Sequence, residues 1–238
     1  MVAYKRVLLK ISGEAFTDEQ AFGVKPDAVH HVAEKIAALQ KNQIQVGVVM
    51  GGGNIFRGIQ QGASWGMERT PADQVGMLAT LMNGVILQQA LIQAGCKVQM
   101  MSALECPSIA QGFHWRQAIR YLEEGNITLF VGGTGHPYFT TDTVAALRAC
   151  EIKADILLKA TTRVDGVYDK DPRKHKDAKK YDQLSFEEAL QERLGVMDLC
   201  AFTLCMAEHI PIRVFNFYAA SFLEALTDET IGTIVKEK

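Results

Sequence analysis

The 238-residue chain lacks the marks of several large protein classes. Net charge is almost absent: 25 Lys and Arg against 27 Asp and Glu leave −2 with His neutral. Domains dedicated to nucleic acid are usually basic overall, so no nucleic-acid partner is expected. Proline is scarce, six residues, and the 20 glycines show no period, which excludes collagen-like and low-complexity chains. The five cysteines, Cys96, Cys106, Cys150, Cys200 and Cys205, are odd in number and scattered, with no Cys-x-x-Cys. That pattern fits reduced thiols of a cytoplasmic protein and not a disulfide framework. No His-Glu-x-x-His occurs, and His30 and His31 point to different helix faces, so zinc catalysis has no support. The opening Met-Val-Ala-Tyr-Lys-Arg has no h-region, so no secretory signal is expected. Two phosphate motifs are also missing: there is no Gly-x-x-x-x-Gly-Lys-Ser/Thr, and no Gly-x-Gly-x-x-Gly follows the first strand.

Buried strands alternating with amphipathic helices fill the chain instead. Residues 4–11 read as a buried strand carrying Lys10. After Pro26, which suits a first helical turn, Val29, Val32, Ala33, Ile36 and Leu39 recur at helical spacing. Gln45–Met50 is a Val-rich strand running into Gly51-Gly52-Gly53-Asn54. Residues 71–94 predict a long helix closed by Gly95, 97–101 a strand, and 115–122 a helix closed by Gly125. Ile127–Val131 is a strand running into a second turn, Gly132-Gly133-Thr134-Gly135, and Thr141-Asp142-Thr143 opens a helix reaching about Ile152. Residues 156–159 form another strand. Asp165-Gly166, between Val164 and Val167, is a hairpin signal, and Ser185-Phe186-Glu187-Glu188 is a capping box. A helix over 199–208 and a strand over 212–215 follow. This order predicts an α/β fold, a three-layer sandwich around a central, mostly parallel sheet.

From residue 74 to 96 there is no charge, yet Asn83, Gln88, Gln89 and Gln93 oppose a membrane span, because bare amides are expensive in lipid. A helix with little solvent contact is expected, covered by the sheet on one side and by core or a second subunit on the other. Asp169 and Asp171 do not make a calcium loop, since Lys174 stands where that loop needs Gly. The basic stretch 170–180 reads as a solvated loop.

The chemistry concentrates at strand ends. Val7-Leu8-Leu9-Lys10 followed by Ile11-Ser12 is echoed by Ile156-Leu157-Leu158-Lys159 followed by Ala160-Thr161. Each places a lysine at the carboxyl end of a buried strand, the edge at which open α/β sheets bind ligands. Two strand-to-glycine turns, at Gly51–Gly53 and Gly132–Gly135, let backbone N–H groups approach an anion; tight surface turns are the plain alternative. Arg57 follows the first turn and suits a bidentate phosphate clamp. Asp73 is a helix-start acid or an acceptor for a ribose diol. Asp142 is a helix cap and also a carboxylate able to orient the two lysines. Phosphoryl transfer needs positioning and charge stabilisation more than covalent help. No His or Cys nucleophile is evident, which fits an acceptor already anionic, such as a phosphate monoester with a second pKa near ~6. The residues thus point to a kinase acting on an oxyanion, a phosphate or a carboxylate.

Over nearly its whole length the sequence resembles the bacterial UMP kinases (uridylate kinases) of the amino-acid kinase superfamily. The likeness lies in Tyr4-Lys5-Arg6 through Leu9-Lys10-Ile11-Ser12-Gly13-Glu14-Ala15, in Val48-Val49-Met50-Gly51-Gly52-Gly53-Asn54-Ile55-Phe56-Arg57-Gly58, and in Asp73 with Gly76–Thr80 and Met82-Asn83-Gly84. It continues in Thr134-Gly135-His136-Pro137-Tyr138-Phe139-Thr140-Thr141-Asp142, Val164-Asp165-Gly166-Val167-Tyr168, Val196-Met197-Asp198-Leu199 and Ile212-Arg213-Val214-Phe215-Asn216. The resemblance implies ATP + UMP → ADP + UDP, with Mg2+ bound to ATP, in pyrimidine nucleotide biosynthesis. It implies one domain over 1–238, with a phosphoryl-acceptor (UMP) lobe over 1–154 and an ATP lobe over 155–238. Lys10, Ile11, Ser12, Gly13, Gly53 and Arg57 would bind ATP at its phosphates, and Thr162, Tyr168 and Asp171 its base and ribose. UMP would be held by Gly52, Asp73 and Thr134, Gly135, His136, Pro137, Tyr138, Phe139, Thr140 and Thr141. Lys10 and Lys159 would stabilise the transferring group, with Asp142 and Asp198 as organising carboxylates and no metal ligand among the side chains. A cytoplasmic homohexamer is implied, without membrane contact, activated by GTP through Asp18, Glu19, Gln20, Ala21, Phe22 and Gly23 and inhibited by UTP. The sequence departs from the family pattern in three places: an extra residue between Lys159 and Val164, which makes Thr161 the alternative to Thr162; His136 where Asn is usual; and no glycine over 18–21. A kinase making an acyl phosphate and a non-catalytic nucleotide-binding protein on the same scaffold are the alternatives.

Overall fold

A computed structural model of the chain describes residues 4–17 and 22–237. The elements in order are β1 (Arg6–Ile11), α1 (Pro26–Lys41), β2 (Gln45–Met50), α2 (Gly58–Ser64), α3 (Arg69–Gln93), β3 (Val98–Ser102), β4 (Gln111–Gly112), α4 (Trp115–Glu123), β5 (Ile127–Val131) and α5 (Thr141–Ile152). Then come β6 (Ile156–Thr161), β7 (Val167–Tyr168), β8 (Lys180–Tyr181), β9 (Gln183–Ser185), α6 (Phe186–Gln191), α7 (Leu199–Ala207), β10 (Ile212–Asn216), α8 (Glu224–Thr227) and β11 (Thr233–Lys236).

Nine strands form one sheet in the order β4-β3-β5-β2-β1-β6-β10-β11-β9. Every neighbouring pair is parallel except β10 with β11. Side chains alternate across such a sheet with period two. Val7, Leu9 and Ile11 of β1 therefore join Val46, Val48 and Met50 of β2 in one buried layer with α1, α3 and α8. Leu8 and Val49 face the other way, into a layer with α4, α5, α6 and α7. The expected three-layer sandwich is present, and its sheet runs without a break through both halves of the chain.

Local chemistry explains the element ends. Pro26 stands at the first turn of α1. Gly95 and Gly125 follow α3 and α4 with φ of 82° and 80°, a region that costs glycine little. Ser185 and Glu188 make the full capping box of α6. The Asp165-Gly166 hairpin is not there: β7 pairs with β8 across the long 169–179 loop, and Gly166 does not take the positive φ that a two-residue hairpin turn requires. α3 is long and apolar enough to cross a membrane, but half of its most apolar stretch is buried in the protein. Its outward face leaves Leu78, Met82, Val85 and Ile92 exposed, more solvent contact than the sequence suggests. All five cysteines are free.

Candidate active site

The site is built by register. In the parallel pair β1–β6, Lys10 stands directly opposite Lys159. Each lies two residues beyond a leucine, Leu8 or Leu157, that faces α5, so both side chains leave the sheet on the α5 side at its carboxyl edge. Two ammonium groups placed this way repel one another. The N-terminus of α5 supplies the answer: Asp142 lies with Oδ1 2.9 Å from Lys10 Nζ and Oδ2 2.7 Å from Lys159 Nζ. All three side chains are largely buried. Burial pushes the Asp142 carboxyl up, but Lys10 and Lys159 more than reverse this and hold it below the usual carboxylate range. Burial pulls the Lys159 ammonium below its ordinary value, and Asp142 opposes the shift. Lys159 Nζ also donates to the Val196 carbonyl at 2.7 Å. Lys10 meets Oδ1 as a buried ion pair.

Two hydroxyls and a second carboxylate fix the helix start. Thr140 is the N-cap of α5, its hydroxyl accepting from the backbone N–H groups of Asp142 and Thr143. Asp198, the N-cap of α7, accepts from the hydroxyls of Thr140 and Thr143 and from Ala201 N–H at 2.9 Å. Asp198 thereby ties the two helix N-termini together, and both carry the positive end of a helix dipole. Lys10, Thr140, Thr141, Asp142 and Asp198 line one small cavity.

The glycine turns are held from behind by α3. Asn83, 1% exposed, donates to the Gly51 carbonyl at 2.8 Å and to Asn54 Oδ1 at 2.7 Å. Thr80 accepts from Gly132 N–H at 2.9 Å and donates to Met77 O. A single helix thus positions both turns. The turns themselves differ. Gly132, Gly133 and Gly135 have φ of 78°, 64° and 83°, conformations that side chains resist. None of Gly51–Gly53 does; Gly52 is required by space, since a Cβ there would stand 2.8 Å from Ala79 Cβ and from Gly76 O. Only Gly53 of the three opens onto room, with Arg57 Cγ the nearest atom at 3.9 Å.

Two further cavities adjoin this region, one through Lys159 and the other through Thr140 and Thr141. One, of about 530 Å3, is lined by Lys159, Thr161, Tyr168, Asp171, Glu192 and Val196 among others. Thr161 and not Thr162 borders it; the Thr162 hydroxyl donates to Glu14 Oε2 at 3.1 Å. Tyr168 donates to Asp165 at 2.5 Å, and that bond pushes its hydroxyl up to about 12. Asp171 is gripped on both oxygens by Arg173, which holds its carboxyl down at about 2. The other cavity, of about 270 Å3, is lined by Gly52, Gly53, Arg57, Asp73, His136, Phe139, Thr140 and Thr141, with Arg69 and Met77. Asp73 accepts from Arg69 and from Tyr138 N–H at 2.8 Å, and so pins Tyr138 in a strained backbone with φ of 74°. Thr134 borders a third cavity, which shares His136 and Phe139.

Some assignments rest on backbone alone. The Ile11 side chain is in the core, and its carbonyl accepts from Gly51 N–H. Ser12 caps the short 3-10 turn Gly13–Phe16. Gly13 is packed against the first glycine turn, where a Cβ would lie 2.4 Å from Asn54 Oδ1. Phe22 and Gly23 lie at the edge of the described residues, and Asp18, Glu19, Gln20 and Ala21 lie outside them. Thr80, Asn54, Asn83, Glu192 and Val196 have no role assigned from the sequence; polar groups within the charge-free run 74–96 are the available signal for Thr80 and Asn83.

Among the described residues no group of three His, Cys, Asp or Glu side chains is placed to hold a metal. Each Asp142 oxygen faces an ammonium group within 3 Å, and the two ammonium groups repel a cation. The donor set suits a divalent cation carried on a nucleotide's own phosphates, with few protein ligands.

Fold and site define an α/β protein that gathers positive charge between two ligand cavities, the arrangement of a nucleotide-dependent phosphotransferase. A model of the amino acid kinase family matches residues 5–216, and the chain belongs to that family. It is 52% identical over 236 residues to a uridylate kinase of Protochlamydia amoebophila, covering 98% of this chain and 93% of that protein. A uridylate kinase of Magnetococcus marinus is 49% identical, with 98% and 97% covered. The crystal structure of UMP kinase from Bacillus anthracis superposes with a TM-score of 0.95 at 34% identity, covering 99% of this chain and 97% of the other. That of UMP kinase from Ureaplasma parvum gives 0.93 at 34%, with 98% and 99% covered.

Proposed function

We propose that the chain transfers the terminal phosphoryl group of ATP to UMP, giving ADP and UDP. The observation that carries this reading is the convergence of Lys10 and Lys159 on Asp142 where the cavity linings meet. Lys159 borders the larger cavity, and Thr140 and Thr141 border both the UMP-side cavity and the small one holding Lys10. The relatives named uridylate kinase and UMP kinase, aligned nearly end to end, support the substrate pair.

In this reading the cavity with Tyr168, Asp171 and Thr161 takes the adenine nucleotide, in a lobe over 155–238. The cavity with Gly52, Asp73 and the 134–141 segment takes UMP, in a lobe over 1–154. Thr134, Gly135 and Pro137 shape that segment and His136 faces the base. Gly53, Arg57, Ser12, Gly13 and the backbone of Ile11 surround the phosphates. A UMP phosphate oxygen attacks the γ-phosphorus and the bond to the bridging oxygen of ADP breaks. The attacking oxygen is already anionic, so no general base is needed. Lys10 and Lys159 stabilise the charge on the transferring group, and Asp142, fixed by Thr140 and Asp198, keeps them parallel. Mg2+, bound with ATP, supplies further charge neutralisation.

The same reading includes pyrimidine nucleotide synthesis in the cytoplasm, a homohexamer, activation by GTP and inhibition by UTP. The exposed apolar face of α3 supports an assembly. An ADP-release assay offering UMP, CMP and N-acetylglutamate in turn tests the proposal. UMP-dependent release is expected, and none with UMP refutes it. N-acetylglutamate-dependent release points to the acyl-phosphate alternative.

A further inference from the structure

Glu14 sits in an unexpected place. It follows Lys10-Ile11-Ser12-Gly13 directly, on the loop after β1, at the sheet edge where positive charge is gathered. In the sheet order β1 lies between β2 and β6, and the loops after both of those neighbours send a basic group to it. From the β2 side, Arg57 Nη2 donates to Glu14 Oε1 at 2.9 Å. From the β6 side, Arg163 Nη2 donates to Oε1 at 2.7 Å, Arg163 Nε to Oε2 at 3.1 Å, and the Thr162 hydroxyl to Oε2 at 3.1 Å. One carboxylate therefore accepts four bonds from two loops, in the bidentate geometry that arginine also uses for phosphate. Glu14 is 22% exposed in its side chain, Arg57 35% and Arg163 52%, so the cluster opens to solvent and can exchange partners.

We infer that Glu14 is a positioning residue that holds Arg57 and Arg163 and competes with a nucleotide phosphate for them. This inference rests on the phosphate site proposed above and adds Arg163 to it. When a triphosphate enters, the guanidinium groups pass from the carboxylate to phosphate oxygens. Glu14 then opposes binding in two ways: it competes for the two arginines, and its charge repels the ligand. A residue that only supported the fold would do neither.

The test is titration calorimetry without UMP, using a β,γ-methylene ATP analogue and, separately, inorganic triphosphate. Glu14→Gln keeps the shape and removes the charge. The expected result is a gain: Kd for both probes falls by about three- to tenfold, the size set by two exposed ion pairs, and the fall shrinks at high salt. Glu14→Asp restores affinity towards that of the unaltered protein. Arg163→Gln weakens binding alone and cancels most of the gain when combined with Glu14→Gln. Unchanged or weaker binding in a folded Glu14→Gln protein overturns the inference, as does Arg163→Gln without effect in either background. If Glu14→Gln does not fold, Arg163→Gln decides alone: weaker binding supports the inference and unchanged binding overturns it. UMP-dependent ADP release by the unaltered protein is measured in parallel. Its absence defeats the phosphotransfer reading, while the calorimetry still reports on Glu14.

Discussion

Replacing Asp142 by Asn tests the site's electrostatics most directly. The substitution keeps the side chain's outline and removes only its charge. Asp142 stands 2.9 Å from one ammonium group and 2.7 Å from another, and the three side chains are 14–16% exposed, so solvent screens them little. Removing one partner from a buried ion pair typically costs ~3–5 kcal/mol. An independent route gives a similar figure. Both ammonium groups lie within 3 Å of one carboxylate, and at an effective dielectric of about 20 two unit charges roughly 4–8 Å apart repel by ~2–4 kcal/mol once the carboxylate is gone. Urea unfolding at neutral pH should therefore show a loss of about 3 kcal/mol or more. Lys159→Met in the Asp142→Asn background should return part of it, because it removes the repulsion, while activity stays lost.

The pH dependence has a definite sign. A lysine whose folded pKa lies below its unfolded value penalises the folded state at low pH, and the penalty fades as pH rises through the folded value towards 10.5. Burial already lowers Lys159, and loss of Asp142 lowers it further, so the variant's deficit should shrink at alkaline pH. In the unaltered protein Asp142 is a depressed acid. Its contribution is present above 3.8 and is lost as pH falls through the lower folded value; the variant lacks that acid step. A cost below about 1 kcal/mol, or no recovery in the double variant, would refute the reasoning that the carboxylate exists to hold the lysines together.

Three further outcomes follow from the same geometry. Lys10→Ala should retain its circular dichroism and lose about a hundredfold or more in kcat, since it removes one charge-stabilising group, as steady-state assays would read. Thr80→Val should leave the Gly132 N–H buried and unpaired, costing ~1–3 kcal/mol in urea unfolding and raising KM for UMP more than for ATP. Gly52→Ala should cost ~1–3 kcal/mol by overpacking, because its Cβ would lie 2.8 Å from Ala79 Cβ and from the Gly76 carbonyl, and UMP affinity should fall with it.

The strands that carry the site were legible because they are buried on both faces. Gln45–Met50 and Ile127–Val131 form with the bounds their apolar runs suggest. Strand-end lysines stand out in such runs because an isolated charge there needs a reason. The edge strands were not legible: β4 and β9 have two and three residues, and they are strands only because a neighbour supplies the ladder. Asp165-Gly166 carried the dipeptide of a hairpin, but the strand that follows it pairs with Lys180–Tyr181 and not with a strand before the turn, and the composition could not tell the difference. Register was likewise out of reach. The sequence shows that β1 and β6 end alike; only the sheet places Lys10 and Lys159 side by side. Glu14 was not legible either, because its meaning depends on arginines 43 and 149 residues away.

Helix α3, free of charge from residue 74 onward, joins these points. A stretch without charges suggested burial or a subunit face; α3 is buried on one side and exposes apolar side chains on the other. Thr80 and Asn83, three residues apart, share the buried side, where each holds one glycine turn. Met82 and Val85 occupy the exposed side. A charged residue facing inward would pull these turns from their positions or remain unpaired, whereas on the outer face nothing in the isolated chain forbids it. Its absence there too is therefore not required by the site, and it is explained if that face is covered by another copy of the chain. Charged substitutions at Met82 should then change the assembly in sedimentation while leaving unfolding of the separated chain nearly unaffected, and a chain that sediments as a monomer before substitution would remove this explanation.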